Sequence, residues 1–151
     1  MKKFELTAES KINIFGKKLF RIKALISFGD VEEGETGGWI EKEENLEQSS
    51  GNAWVYGDAE VYGNARVSGN AEVYGNADYT TIHGFGTQFR TTTFFQCEDK
   101  QIRVSCGCFL GTIPEFREQV KNTREGKIAE EYLMIADLME KHFVKEKESG
   151  E

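Results

Sequence analysis

Residues 51–80 read GNAWVY, GDAEVY, GNARVS, GNAEVY, GNADYT, five consecutive hexads of Gly, Asn or Asp, Ala, a variable residue and Val, with Tyr79 in place of the last valine. A period of six suits neither the 3.6-residue turn of a helix nor a simple alternating strand. It suits a coil in which each hexad makes one flat side of a triangle, about eighteen residues per turn. Val55, Val61, Val67, Val73 and Tyr79 are then expected to fill the interior. Ala53, Ala59, Ala65, Ala71 and Ala77 would take inward places with room for a methyl group. Glycine and Asn or Asp turn the corners, where unusual backbone angles are tolerated. Trp54, Glu60, Arg66, Glu72 and Asp78 are expected to face outward. The expected fold class is mainly β: a short left-handed β-helix of hexapeptide repeats with an N-terminal β cap and a C-terminal α-helical appendage. The left hand follows from the repeat type and from no single residue.

Five hexads make less than two turns, and bare strand edges invite aggregation, so the flanks must cap the coil. Residues 1–36 are expected to form an N-terminal β hairpin or cap, with Phe15-Gly16-Lys17-Lys18 as its turn. The repeat region is set at 37–80, because Gly37-Gly38-Trp39-Ile40 and Leu46 look like an irregular hexad pair, with 41–50 a polar loop. Residues 81–111 read as a non-repetitive β segment. From 112 to 151 the pattern is helical. Thr112 and Glu115 form a capping box with Pro114 in the first turn. A second helix carries Ile128, Tyr132, Ile135, Met139 and Phe143 at three-to-four spacing.

The formal net charge of −7 argues against general binding to a nucleic-acid polymer, where a basic footprint supplies most of the affinity. A local basic pocket for a small anion stays open. No stretch approaches the ~20 apolar residues needed to span a bilayer, and Met1-Lys2-Lys3-Phe4-Glu5 lacks the apolar core of a signal peptide. A soluble, cytoplasmic protein without membrane partners is expected. Cys97, Cys106 and Cys108 are then reduced thiols. Cys-x-Cys with two histidines elsewhere is poor zinc spacing, so neither a metal nor another cofactor is expected.

Hexapeptide-coil enzymes include acyltransferases with a histidine base and carbonic anhydrases with three metal-bound histidines. Two histidines exclude the latter, and His142 lies near the end of the last helix. His83 is left as the candidate base, without an acidic residue nearby to orient it. Binding is easier to motivate. The outer face of the repeats carries Asp58, Glu60, Glu72 and Asp78 against Arg66, and should repel phosphate. Residues 81–112 instead set Arg90, Lys100 and Arg103 against Glu98 and Asp99. Within them Arg90-Thr91-Thr92-Thr93-Phe94-Phe95 places a guanidinium and three hydroxyls beside two rings, the groups that contact phosphate and base. The same residues are ordinary strand formers.

The segments FELTAESKINIFGKKLFRIKAL, FGDVEEGETGGWIEKEENL, GNAWVYGDAEVYGNARV, TTTFF and CGCFLGTIPEF together resemble a widespread family of small phage and prophage proteins with hexapeptide repeats, over nearly the whole chain. GGWIEKEENL and the C-terminal CGCFxGTxxEF pattern are its specific parts. The resemblance implies a phage anti-defence protein: a trimeric sponge that sequesters a small nucleotide-derived host immune signal without catalysis. Arg90 and Thr91, Thr92 and Thr93 would contact phosphate or ribose. Phe94, Phe95 or Trp54 would lend stacking surface, with His83 and Arg103 as further ligand contacts. The alternatives are an acyltransferase-like enzyme using His83 and a structural or protein-binding phage component.

Overall fold

The structure is a computed structural model that describes residues 2–49 and 51–144. The end of the expected helical region, 145–151, lies outside the described residues. The N-terminal residues fold as expected into a hairpin, β1 (Phe4–Ile12) against β2 (Lys18–Ala24). Its turn is closed by Asn13, whose Oδ1 accepts from the backbone N–H of Phe15 and of Lys17 at 3.0 Å each. Strand β3 (Thr36–Ile40) pairs antiparallel with β2. The repeats contribute β4 (Trp54–Val55), β5 (Glu60–Val61) and β6 (Glu72–Val73), each two residues long. β5 joins the hairpin sheet beside β3, in the order β1-β2-β3-β5, and β4 pairs with β6.

The expected left-handed β-helix is not formed. Among the described residues the molecule holds mixed sheets in which antiparallel ladders dominate, with no closed or solenoid sheet, and at 39% strand and 24% helix it is not mainly β. The reason lies in the hexads. Glycine-led corners take most of each six residues, so the parallel pairing of β4 with β6 has two rungs, Trp54 with Glu72 and Val55 with Val73. Two rungs do not outweigh the long ladders on either flank. Burial within the hexads nevertheless follows the pattern in part: Val55, Val61, Val67 and Val73 are buried, as are Ala53, Ala59, Ala65 and Ala71. Ala77 is exposed, because the last hexad becomes a 3₁₀ turn over Asn76–Asp78. Trp54 and Glu72, expected outside, are buried. The Trp54 ring lies edge-on to Phe4 and Phe28, at 6.3 and 5.3 Å between centroids, so the hairpin layer covers the face the hexads would have shown to water. Gly37 and Gly38 allow this closeness. A Cβ on Gly37 would stand 2.6 Å from the Trp54 ring, and one on Gly38 2.7 Å from Val55 Cγ1.

Beyond the repeats, β7 (Tyr79–Phe85), β8 (Arg90–Gln96), β9 (Ile102–Cys106) and β10 (Phe109–Thr112) form an antiparallel sheet in the order β10-β9-β8-β7. Alternation along β8 divides its side chains between two cores. Phe95 packs with the hexad valines and alanines, whereas Phe94 packs with Val104, Phe116 and Tyr132 beneath the helices. Those helices are α1 (Ile113–Thr123) and α2 (Gly126–His142). The capping box read at Thr112 is present: Glu115 N–H donates to Thr112 Oγ1 at 3.3 Å and Thr112 N–H to Glu115 Oε1 at 2.8 Å. The second sheet thus lies between the repeats and the helices. No helix among the described residues is long and apolar enough to cross a membrane.

Candidate functional site

The odd residues of β8 point toward the repeats, and their face carries the site. Antiparallel register sets His83 opposite Thr91, and Thr93 opposite both Thr81 and Ser105. Directly paired residues share a face, so His83, Thr91 and Ser105 look toward the coil. Where the sheet parts from the repeats there is a cleft of about 580 Å³, lined by Lys42, Glu44, Asn64, Ala65, Arg66, His83, Gln88, Arg90, Thr91, Ser105 and Gly107. That size lies within the range of small-molecule sites.

Each cation is positioned by local structure. Lys42 begins a 3₁₀ turn, Glu43–Asn45. Asn45 pins this turn from a fully buried position: its Oδ1 accepts from the N–H of Glu41 and Lys42, and its Nδ2 donates to Gly63 O and Ala65 O, all at 3.0–3.1 Å. Lys42 Nζ then donates to Asn64 Oδ1 at 3.2 Å. Arg66 is fixed through its main chain, its N–H donating to Thr93 Oγ1 at 3.0 Å. Arg90 Nη2 donates to Gln88 Oε1 at 2.6 Å, and the guanidinium lies against Gly107, where a Cβ would collide with it. His83 Nδ1 shares a hydrogen bond with Thr91 Oγ1 at 2.9 Å.

The electrostatic setting is unusual for so acidic a chain. Arg21, Arg103 and Arg117 each meet a carboxylate within 4 Å. Among the described residues, Lys42, Arg66 and Arg90 are in no such pair. Among the described residues, Glu44 is the one carboxylate lining the cleft. Free guanidinium donors and hydroxyls facing one space can hold an anion, and a planar guanidinium suits the two oxygens of a phosphate.

Of the residues expected from sequence to touch ligand, the cleft brings together Arg90, Thr91 and His83. The others lie elsewhere. Phe94, Phe95 and Trp54 are fully buried and offer no ring face to a ligand. Thr92 is buried on the opposite face, donating to Cys106 Sγ at 3.2 Å, and Thr93 stands behind the cleft as the acceptor for Arg66. Arg103 grips Asp99 with two hydrogen bonds of 2.8 Å, and that guanidinium holds the Asp99 carboxyl down at about 2. Burial pushes the nearby Cys97 thiol up to about 11, far from a reactive thiolate. Sequence reasoning missed Lys42, Asn64, Arg66, Gln88 and Ser105. Arg66 carried a usable signal as the single cation of the acidic repeats, although that face was expected to repel phosphate. No protein-family model and no curated protein matches this chain.

Proposed function

We propose that the cleft binds a small phosphate-bearing, nucleotide-like ligand, and that the protein sequesters this ligand without turning it over. The observation that carries the reading is the convergence of Lys42, Arg66, Arg90 and His83 on one cavity, with Glu44 alone opposing them among the described residues, in a chain of net charge −7. Charge-assisted hydrogen bonds contribute ~1.5–3 kcal/mol each. Two guanidiniums and a lysine can therefore supply much of the ~8 kcal/mol that a micromolar complex needs. His83 is partnered by a hydroxyl and not by a carboxylate, which supports a contact role over that of an oriented base. The phage resemblance adds the setting: a homotrimer in the host bacterial cytoplasm, with a nucleotide-derived immune signal as its ligand.

Calorimetric titration and thermal-shift screening against cyclic dinucleotides and ADP-ribose-derived signals test the proposal. Saturable binding with intact ligand recovered is expected, and Arg90→Ala should weaken it by about tenfold or more, the loss of one charge-assisted contact. Turnover abolished by His83→Ala would replace the sponge with an acyltransferase-like enzyme. Silence across the panel would favour a structural or protein-binding component.

A further inference from the structure

The side chains that line the cleft are polar except for the methyl of Ala65, and among the described residues no aromatic side chain lines it. A small-molecule site usually sets a few polar groups among apolar and aromatic walls. This one gives a nucleobase no ring to stack on. Its two amide oxygens are already engaged. Asn64 Oδ1 accepts from Lys42 Nζ at 3.2 Å and Gln88 Oε1 from Arg90 Nη2 at 2.6 Å, which leaves their amide N–H groups as donors. Glu44 stands against this set of donors. It is exposed, on the turn Glu43–Asn45, and lines the same space as Lys42, Arg66 and Arg90. Among the described residues it meets no cation within 4 Å. In a site for phosphate alone that charge only repels the ligand. A carboxylate accepts hydrogen bonds and donates none, so it gains affinity only where the ligand brings donors of its own.

Resting on the phosphate-cleft reading, we infer that the cleft reads the sugar and phosphates of its ligand and not the base, with Glu44 accepting hydrogen bonds from the ribose hydroxyls. The cations hold the phosphates. Ribose offers two adjacent O–H donors, and hydrogen bonds from hydroxyls to an ionised carboxylate are short and strong. Acidic side chains take this role on ribose in dinucleotide-binding folds. The base is left toward solvent. The ligand class is then ribonucleotides and ribose phosphates, whatever base they carry. The reading also accounts for Phe94, Phe95 and Trp54, whose rings are fully buried and are not needed for recognition.

Calorimetry on the full chain tests this with pyrophosphate, ADP, UDP and the 2′,3′-dideoxy form of ADP. ADP and UDP should agree within about fivefold, and ADP should bind at least about tenfold more tightly than its dideoxy form, the loss of charge-assisted contacts to one carboxylate. Glu44→Ala, at an exposed position, should bring that ribose preference below about threefold. In the same variant pyrophosphate should bind more tightly, because the opposing charge is gone. A carboxylate that only repels anions would instead let every ligand bind more tightly and leave the ribose preference as it was. A base preference beyond about fivefold, a ribose preference short of about tenfold, or one that stays above about threefold in Glu44→Ala overturns the inference, and the cleft reading stands on pyrophosphate binding. If neither pyrophosphate nor any nucleotide binds the unmodified protein, or if Arg90→Ala leaves pyrophosphate affinity unchanged, the cleft reading falls and takes the inference with it.

Discussion

Arg90 keeps its place because residue 107 has no side chain. Gly107 has φ +61°, and a Cβ there would strike Nη1 of Arg90. Gly107→Ala should therefore cost about 1–2 kcal/mol of backbone strain and also displace the guanidinium. The expected result is a stable protein with ligand affinity lowered at least tenfold, read by calorimetry beside Arg90→Ala. Lys3 is a different kind of cation. It is 3% exposed, donates to Ala53 O at 3.0 Å, and burial lowers its pKa from 10.5 to about 8. Below pH 8 both folded and unfolded chains hold this proton, and the cost of burying the charge is borne in full. Between about 8 and 10.5 the unfolded chain keeps the proton that the folded one has lost, so this residue's contribution to stability rises with pH. Relative to Lys3→Met, the wild-type denaturant midpoint should climb over that window, with a limit on the order of 3 kcal/mol. Neither residue's role was legible in sequence. In sequence Lys3 belongs to the run Met1-Lys2-Lys3-Phe4-Glu5, and Gly107 is the middle of a Cys-x-Cys.

At the scale of elements, the turn at 43–45 shows why half the site escaped the sequence. Read as a polar loop, it is held by Asn45 through carbonyls of Gly63 and Ala65, which no local pattern brings near. Asn45→Ala leaves buried polar groups without partners and should cost on the order of 3 kcal/mol in chemical denaturation. Ligand affinity should fall with it, because Lys42 and Asn64 lose their common anchor. Trp54 makes the complementary case. Its place in the hexad pointed outward, but the hairpin that covers it comes from residues far away in the chain. Trp54→Ala should cost about 3–5 kcal/mol as a core truncation and leave the affinity of the folded fraction unchanged, as measured by calorimetry below the unfolding transition. The hairpin, the capping box and the two helices were legible because their signals are local: turn residues, Thr112 with Glu115, and an apolar stripe at helical spacing. The sheet pattern was not, because a repeat specifies its own inward residues and says nothing of how many strands its neighbours will supply.

Across the whole molecule, the second antiparallel sheet is the middle layer, with a core on each face and the cleft where it parts from the repeats. Hexad burial closes one core, and helix packing closes the other. The cations are left at the boundary, where they meet few acidic neighbours. Apolar side chains also remain outside, with Ile14 92% and Met134 69% exposed, and the proposed trimer would give them partners. Light scattering at micromolar concentration should return three times the mass of one chain, and a monomer would remove the assembly from the proposal. The claim on which the rest depends is that the cleft is where ligand binds. Its most direct measurement is a nitrogen-15 NMR titration with the tightest-binding member of the nucleotide panel. Saturating shifts should gather at Lys42, Asn64, Arg66, Thr91 and Ser105, and in Arg90→Ala they should need at least about tenfold more ligand to saturate. Shifts confined to Tyr56 and Tyr74, whose rings stack at 4.3 Å between centroids, or to the hairpin tip at Ile14 and Phe15, or no shifts with any ligand, would contradict it.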